Sequence, residues 1–406
     1  MIKKVKIEDL RPGMFIERFD CKWTQHPFIF NHKKITSFKT IDRLNNWGVT
    51  HVFINTDQGL NASESPPPKP ELHLKLTQQT SPEQMRVAKE IHHIPLHHEI
   101  ARAKRIREKA NQAAHEIMRD VQCGKKIKTE EAYNVITEMD NSICHSKDAL
   151  LLLMRVRSKD EYTFEHSVGV CALLLAFCRS LGLDDETTRL IGLGGLLHDV
   201  GKMAIPMDIL NKPAALNNDE FEKVKHHVIY CREILANTHN IPHTAALIAS
   251  QHHERFDGSG YPYGLVGDEI SNGGQMAAIV DVFDALTSDR CYRQGIDQVE
   301  VLKKIYEWGE THFNQELSQR FIKCIGIYPV GTVVQLESGF IGVVAESTDH
   351  LLQPVVRIIH DTIRDRPVSQ RDIDLSRPES SGGDRIVGYE SVRRWRINPY
   401  KILGIT

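Results

Sequence analysis

The chain has 406 residues, 41% of them hydrophobic and 26% charged, with a formal net charge of -2; the length suggests two or three domains with a sizeable buried core. Near-neutral charge excludes a bulk pull toward long nucleic acid or anionic membrane, and no run approaches the roughly 18 apolar residues of a membrane span. Eight scattered cysteines without a CxxC pair read as reduced thiols of a cytoplasmic protein, and the basic start has no apolar h-region behind it.

Residues 1–62 read as a small α/β domain. Arg11-Pro12-Gly13-Met14 is a turn, residues 14–16 begin a strand, 37–47 are helical and 48–54 form another strand. Residues 63–82, with Pro66, Pro67, Pro68 and Pro70, are a linker. Helical patterning then runs to residue 326. A connector over 83–144 holds a charged amphipathic segment, interrupted near Pro95, and a helix over 128–140. Residues 145–326 form the main helical domain. Within it, 165–181 is apolar nearly all round and therefore central. Asp185 is the expected N-cap of the next helix. Further helices are expected over 218–236, 243–253, 273–288 and 298–311. Residues 327–406 are β-rich, with strands over 332–336, 340–344 and 354–359. The fold class is mainly α.

The histidine count of 21 fits a metal enzyme. His198 and Asp199 are consecutive near a helix C-terminus, in Gly194-Gly195-Leu196-Leu197-His198-Asp199-Val200-Gly201-Lys202. There an imidazole binds one metal through its single free lone pair, and a carboxylate, with two oxygens, bridges two. His166, His226, His252, His253 and Asp281 lie in the same largely apolar helical stretch. Buried polar groups are costly unless something satisfies them, and a divalent metal pair does so. Two metals about 3.5–4 Å apart can activate water and clamp a phosphate in line. Nitrogen and oxygen ligands without thiolate favour Fe or Mn, and also admit Zn, Ni or Mg. Three signals are discounted. His92, His93, His97 and His98 read as a solvated helix entrance, and the basic run over 102–109 as a solvated face. Trp395 reads as tail packing.

His198-Asp199-Val200-Gly201-Lys202, followed by His252-His253-Glu254 and Asp257-Gly258-Ser259-Gly260-Tyr261-Pro262, resembles the HD-GYP family of bacterial cyclic-dinucleotide phosphodiesterases. That family is a branch of the HD metal-phosphohydrolase superfamily. The resemblance covers residues 145–326. Residues 9–14 with His26-Pro27-Phe28 are similar to the domain of unknown function that often precedes such modules. The resemblance implies an all-helical HD-type core and two divalent metal ions. One would lie on His166, His198 and Asp281, the other on His226, His252 and His253, with Asp199 bridging. It implies that Lys202 touches substrate phosphate and protonates the leaving oxygen. Asp284 would orient that lysine, and Arg290, Arg293 and Tyr261 would contact substrate.

The implied reaction opens cyclic di-GMP or 3′,3′-cyclic GMP-AMP to a linear 5′-phosphorylated dinucleotide. The competing class is a non-catalytic sensor of the same ligand. A protein partner such as a diguanylate cyclase and a homodimer are compatible with either. The pattern departs from the family at four points. Tyr162 stands where some members carry a glutamate for a third metal, with Glu161 and Glu165 beside it, so two metals are expected. His227 replaces the usual proline after the fourth ligand and competes with His226. Tyr230 replaces a glycine, and Cys291 a proline.

Overall fold

The computed structural model describes residues 2–19, 33–35, 41, 44, 50–60, 96–156, 162–210, 212, 214–289, 294–309, 311–392 and 394–405. Two compact units divide the chain, Met1–Ile91 and His92–Thr406. The linker, the expected start of the connector helix and the cluster at 92–93 lie outside the described residues, as do Arg290, Cys291 and Arg293.

The first unit is built on an antiparallel sheet of β1 (Ile2–Lys6), β2 (Phe15–Phe19), β3 (Lys33–Lys34) and β4 (His51–Asn55), in the order β1-β4-β2-β3. β4 alternates half-buried and buried positions, so Val52 and Ile54 face a core of Ile7, Leu10, Met14, Ile16, Ile35 and Leu44. This is the period-2 signature of a half-buried strand. Of the helix expected over 37–47 only residues 41 and 44 are described, both helical and buried.

The second unit begins with two long helices, α1 (Leu96–Gln122) and α2 (Thr129–Met154). The helix expected over 128–140 continues to Met154 in α2, broken only by the non-helical backbone of Ser146. On α1, the basic run serves packing in part: Arg107 Nη1 donates to the carbonyls of Leu153 and Val156 at 2.9 and 2.7 Å. α3 (Tyr162–Ser180) is central, as its all-round apolarity predicts. It is flanked by α1, α2, α4 (Asp185–Leu197) and, later in the chain, α9 and α11. The N-cap of α4 is Asp184 rather than Asp185; its carboxylate accepts from Thr187 N at 2.8 Å. Asp185 instead pairs with Arg179, which also grips the fully buried Asp140 through two bonds of 2.8 and 2.6 Å. That pairing ties α2 to α3.

After α4 come a short 3-10 turn, Val200–Ala204, and the helices α5 (Met207–Leu210), α6 (Asn218–Lys225), α7 (His227–Ala236) and α8 (His243–Gln251). The single helix expected over 218–236 is thus two, meeting at His226. α9 (Asn272–Thr287), α10 (Gln298–Trp308) and α11 (Gln315–Ile325) complete the helical body.

An antiparallel sheet follows, β5 (Val333–Leu336), β6 (Phe340–Glu346), β7 (Val355–Asp361), β8 (Arg366–Asp374) and β9 (Ile386–Tyr389), in the order β8-β7-β6-β5-β9. Two short helices, α12 (Pro378–Ser381) and α13 (Pro399–Ile402), decorate it. Arg155 Nη1, donating to Val330 O at 2.8 Å, and Ser347 N, donating to Asp148 at 3.1 Å, fasten the sheet to α2 and the turn after it. Trp395 packs within this region, its Nε1 donating to Glu390 at 3.0 Å. Among the described residues no helix is long and apolar enough to cross a membrane.

Candidate metal centre

Five helices and one turn bring the polar cluster together. α3 carries His166, the end of α4 carries His198, and α7 begins with His227. The end of α8 gives His252 and His253, and α9 carries Asp281 and Asp284. Asp199 leaves α4 with φ -104° and ψ 3°, the sparsely populated bridge region where active-site residues often sit.

Four of the imidazoles are keyed by the ring nitrogen that faces away from the cluster. Nδ1 of His198 lies 2.7 Å from Gly195 O, that of His227 2.7 Å from Val224 O, and that of His252 2.9 Å from Ala249 O. A carbonyl oxygen can only accept, so each Nδ1 carries the proton and each Nε2 offers its lone pair to the interior. His166 Nδ1 donates to Asp284 Oδ2 at 2.6 Å. Such outward bonds fix ring orientation and raise ligand basicity in metal sites.

Asp199 stands between two groups of donors. Its Oδ2 is 3.3 Å from His198 Nε2 and 3.7 Å from His166 Nε2, while its Oδ1 is 3.5 Å from His227 Nε2. Asp281 lies against both as well. Its Oδ1 is 3.0 Å from His166 Nε2, and its Oδ2 is 3.8 Å from His253 Nδ1. His227 Nε2 and His252 Nε2 face each other at 3.4 Å.

The donor set fits divalent cations. With both Nδ1 atoms protonated, the two facing Nε2 atoms present lone pairs to each other, a repulsive arrangement unless a cation receives them. His198 Nε2 and Asp199 Oδ1 are buried without a hydrogen-bond partner among the described residues, and an unsatisfied buried acceptor costs about 1–3 kcal/mol. Two groups, His166/His198/Asp199 and His227/His252/His253, each converge closely enough to hold one ion. For His227 and His253 the electrostatics agree with that reading. Burial pushes His227 down to about 3 and His253 down to about 4, keeping both neutral and ligand-competent. Burial also opposes charge on His166, but Asp281 and Asp284 outweigh it and push that group up to about 9. Burial likewise opposes charge on Asp199, but the neighbouring His198 and Lys202 outweigh it and hold that carboxyl well below the usual carboxylate range.

Two expectations need correction. His226 is exposed, with Nδ1 against Glu222 O at 2.8 Å, whereas His227 is 1% exposed and lies in the cluster. Successive helical residues diverge by about 100°, and of this pair it is His227 that points inward. His227 is in phase with the buried Cys231 and Leu235. The second correction concerns Asp284, which bonds His166. The carboxylate beside Lys202 is that of Asp199, 2.5 Å from Nζ. Lys202 is about a quarter exposed, at 23%, on the open side of the cluster. At the third-metal position, the side chain of Tyr162 and residue Glu161 lie outside the described residues. The buried Glu165 accepts from Asn111 Nδ2 at 3.5 Å.

Sequence reasoning also missed two supports. The Cys231 thiol accepts from Gly201 N at 3.0 Å and donates to His198 O at 2.9 Å, tying the turn after α4 to α7. A Cβ on Gly201 would sit 2.0 Å from His227 O, so this approach requires glycine. The buried Glu254 carboxylate accepts from Tyr263 N at 2.7 Å and Leu265 N at 2.9 Å, organising the loop after α8. Gly260 passes so close to Arg255 N that a Cβ there would lie 2.2 Å away. This loop carries the cis Tyr261–Pro262 bond and lays the Tyr261 ring on His253, centroids 4.7 Å apart and 29° between planes.

A histidine–aspartate pair closing a buried helix, ringed by imidazoles from neighbouring helices, defines a metal-dependent phosphohydrolase of the HD class. Residues 148–317 match the family described as HD domain, and residues 2–132 match a domain of unknown function, DUF3391. The chain is 37% identical over 402 residues to cyclic di-GMP phosphodiesterase PA4108 of Pseudomonas aeruginosa, covering 98% of this chain and 94% of that one. It is 44% identical to the cyclic di-GMP phosphodiesterase response regulator RpfG of Xanthomonas campestris, over 31% of this chain and 34% of that one. It is 39% identical to 3'3'-cGAMP-specific phosphodiesterase 1 of Vibrio cholerae, over 38% of this chain and 36% of that one. The chain belongs to the HD-GYP family of cyclic-dinucleotide phosphodiesterases.

Proposed function

We propose that this centre opens 3′,3′-cyclic dinucleotides to linear 5′-phosphorylated dinucleotides. Two divalent cations would be held by His166, His198 and Asp281 on one side and by His227, His252 and His253 on the other. Asp199 would be shared between them. The observation that carries this reading is the placement of Asp199, with one carboxylate oxygen toward each group of imidazoles. When bound, such cations supply Lewis acidity, lowering the pKa of water and drawing charge off a phosphodiester. The nitrogen and oxygen donors favour Fe or Mn, and admit Zn, Ni or Mg.

The chain's own groups then divide the work. Asp284 holds the His166 ring through Nδ1. Lys202, on the open side, reaches the phosphate and gives a proton to the departing 3′ oxygen. The P–O3′ bond breaks, the oxygen of water joins phosphorus, and the 5′ ester stays intact, which leaves a 5′-phosphate and a 3′-hydroxyl. Arg290 and Arg293 belong to this reading as further phosphate or base contacts.

Cyclic di-GMP comes first as substrate, because the relative named for it aligns with 98% of this chain. The relatives named for 3'3'-cGAMP align with 38%, 43% and 41% of it, which makes the mixed dinucleotide the second substrate to test. The test is anaerobic turnover of both by metal-loaded protein, with products separated by chromatography. Linear product from wild type, lost in Asp199→Ala, is the expected result. No product from either substrate, with both metals bound, would move the reading to a ligand sensor.

A further inference from the structure

His253 differs from the other cluster imidazoles in how it is held. His166, His198, His227 and His252 each lock their rings with an outward Nδ1 bond to oxygen. His253 instead turns Nδ1 inward, 3.8 Å from Asp281 Oδ2, and no outward hydrogen bond holds its ring among the described residues. What confines it is aromatic. His252 packs on it with centroids 4.1 Å apart, and Tyr261 stacks on it at 4.7 Å and 29°.

The backbone reinforces that stack. Tyr261 N donates to His253 O at 3.1 Å, so the tyrosine is tied to the residue whose ring it covers. The loop carrying it is anchored by the buried Glu254 and by the close passage at Gly260. Lys225 Nζ, salt-bridged to Glu222 at 2.6 Å, stands 5.5 Å over the Tyr261 ring. A cation over an aromatic face is attracted by the ring quadrupole, and here it helps to fix the tyrosine in place.

We infer that Tyr261 is a positioning residue for His253, its ring doing for that imidazole what an outward hydrogen bond does for the other four. The inference rests on the two-ion reading above. It assigns Tyr261 to the upkeep of one metal position rather than to contact with substrate. A ring in phenylalanine would serve as well, and the hydroxyl is dispensable for this role.

The test is manganese binding to full-length protein, measured by calorimetry and by the magnetic-resonance signature of a coupled ion pair. Wild type, Tyr261→Phe and Tyr261→Ala are compared, with circular dichroism confirming that each is folded. Wild type and Tyr261→Phe are expected to bind two ions alike. Tyr261→Ala is expected to bind one ion normally and the other at least about tenfold more weakly, the effect of losing an orienting partner in a metal site. Two ions bound equally tightly by Tyr261→Ala would overturn the inference while leaving the two-ion reading intact. So would weaker ion binding in Tyr261→Phe, which would assign the effect to the hydroxyl. If Tyr261→Ala does not fold, Tyr261→Leu takes its place with the same expectation. A wild type that binds no ion pair would overturn the two-ion reading and this inference with it.

Discussion

His227 Nε2 stands 3.5 Å from Asp199 Oδ1, while His226, one residue earlier, is exposed and bonded to the carbonyl of Glu222. Adjacent histidines therefore have opposite fates, and substitution separates them. His227→Ala removes a donor from the second imidazole group and should lower turnover by about a hundredfold or more, with one metal ion fewer per chain. His226→Ala should stay within about threefold of wild type, since surface changes of this kind are nearly neutral. Steady-state kinetics beside metal analysis by mass spectrometry checks both.

Asp284 acts through His166. Asp284→Asn keeps the shape but removes the charge that orients and strengthens the imidazole, and should cost about 10–100-fold in metal affinity or activity. A variant with wild-type affinity and turnover would show that the 2.6 Å bond is decorative.

Glu254 has no donor atom in the cluster, so its loss should appear first as stability. Glu254→Ala leaves the buried Leu265 amide without its acceptor, which costs about 1–3 kcal/mol. Urea unfolding of the metal-free protein measures this directly. An unchanged midpoint would mean that the loop finds another acceptor.

Proton linkage gives the metal-free protein a stability maximum. His166 is pushed up to about 9, from an ordinary 6.5, because Asp281 and Asp284 outweigh burial. A raised folded-state pKa stabilises fully below pH 6.5, and that contribution is lost as pH climbs through about 9. His227 and His253 run the other way, pushed by burial down to about 3 and about 4. Their contribution is full above pH 6.5 and is lost as pH falls toward those values. Chelator-treated protein should therefore unfold at its highest temperature near pH 6.5–7 and at lower temperatures on either side, as thermal melts at pH 5, 6.5 and 9 would show. A melting temperature that rises steadily to pH 9 would contradict the His166 environment.

Much of this centre was legible because its chemistry is concentrated in side chains of types that apolar helices rarely tolerate. His198-Asp199, His252-His253 and Asp281 declared themselves that way. The choice between His226 and His227 needed helix phase: His227, Cys231 and Leu235 fall at i, i+4 and i+8, a buried stripe that the sequence displays but that a motif match passes over. The partner of Asp284 was not legible, since a one-turn offset along α9 decides whether a carboxylate meets a metal ion or the back of an imidazole. Glu254 was hidden for another reason: its bonds go to backbone amides, which carry no sequence signal.

The same logic holds for the fold. α3 was recognisable from apolarity on every side. β8, largely exposed, is not among the strands expected in the β-rich region, because an edge strand with solvent on its face carries no hydrophobic alternation. Asp184 and Asp185 are equivalent as sequence signals, and only the bond to Thr187 N distinguishes the cap.

The most direct test of the account is anomalous diffraction from crystals of manganese-loaded protein, collected near the metal edge. Two peaks flanking Asp199, one at each carboxylate oxygen, with His227 Nε2 on one and His166 Nε2 on the other, are predicted. A single peak, or a second ion bound to His226 instead of His227, would contradict it.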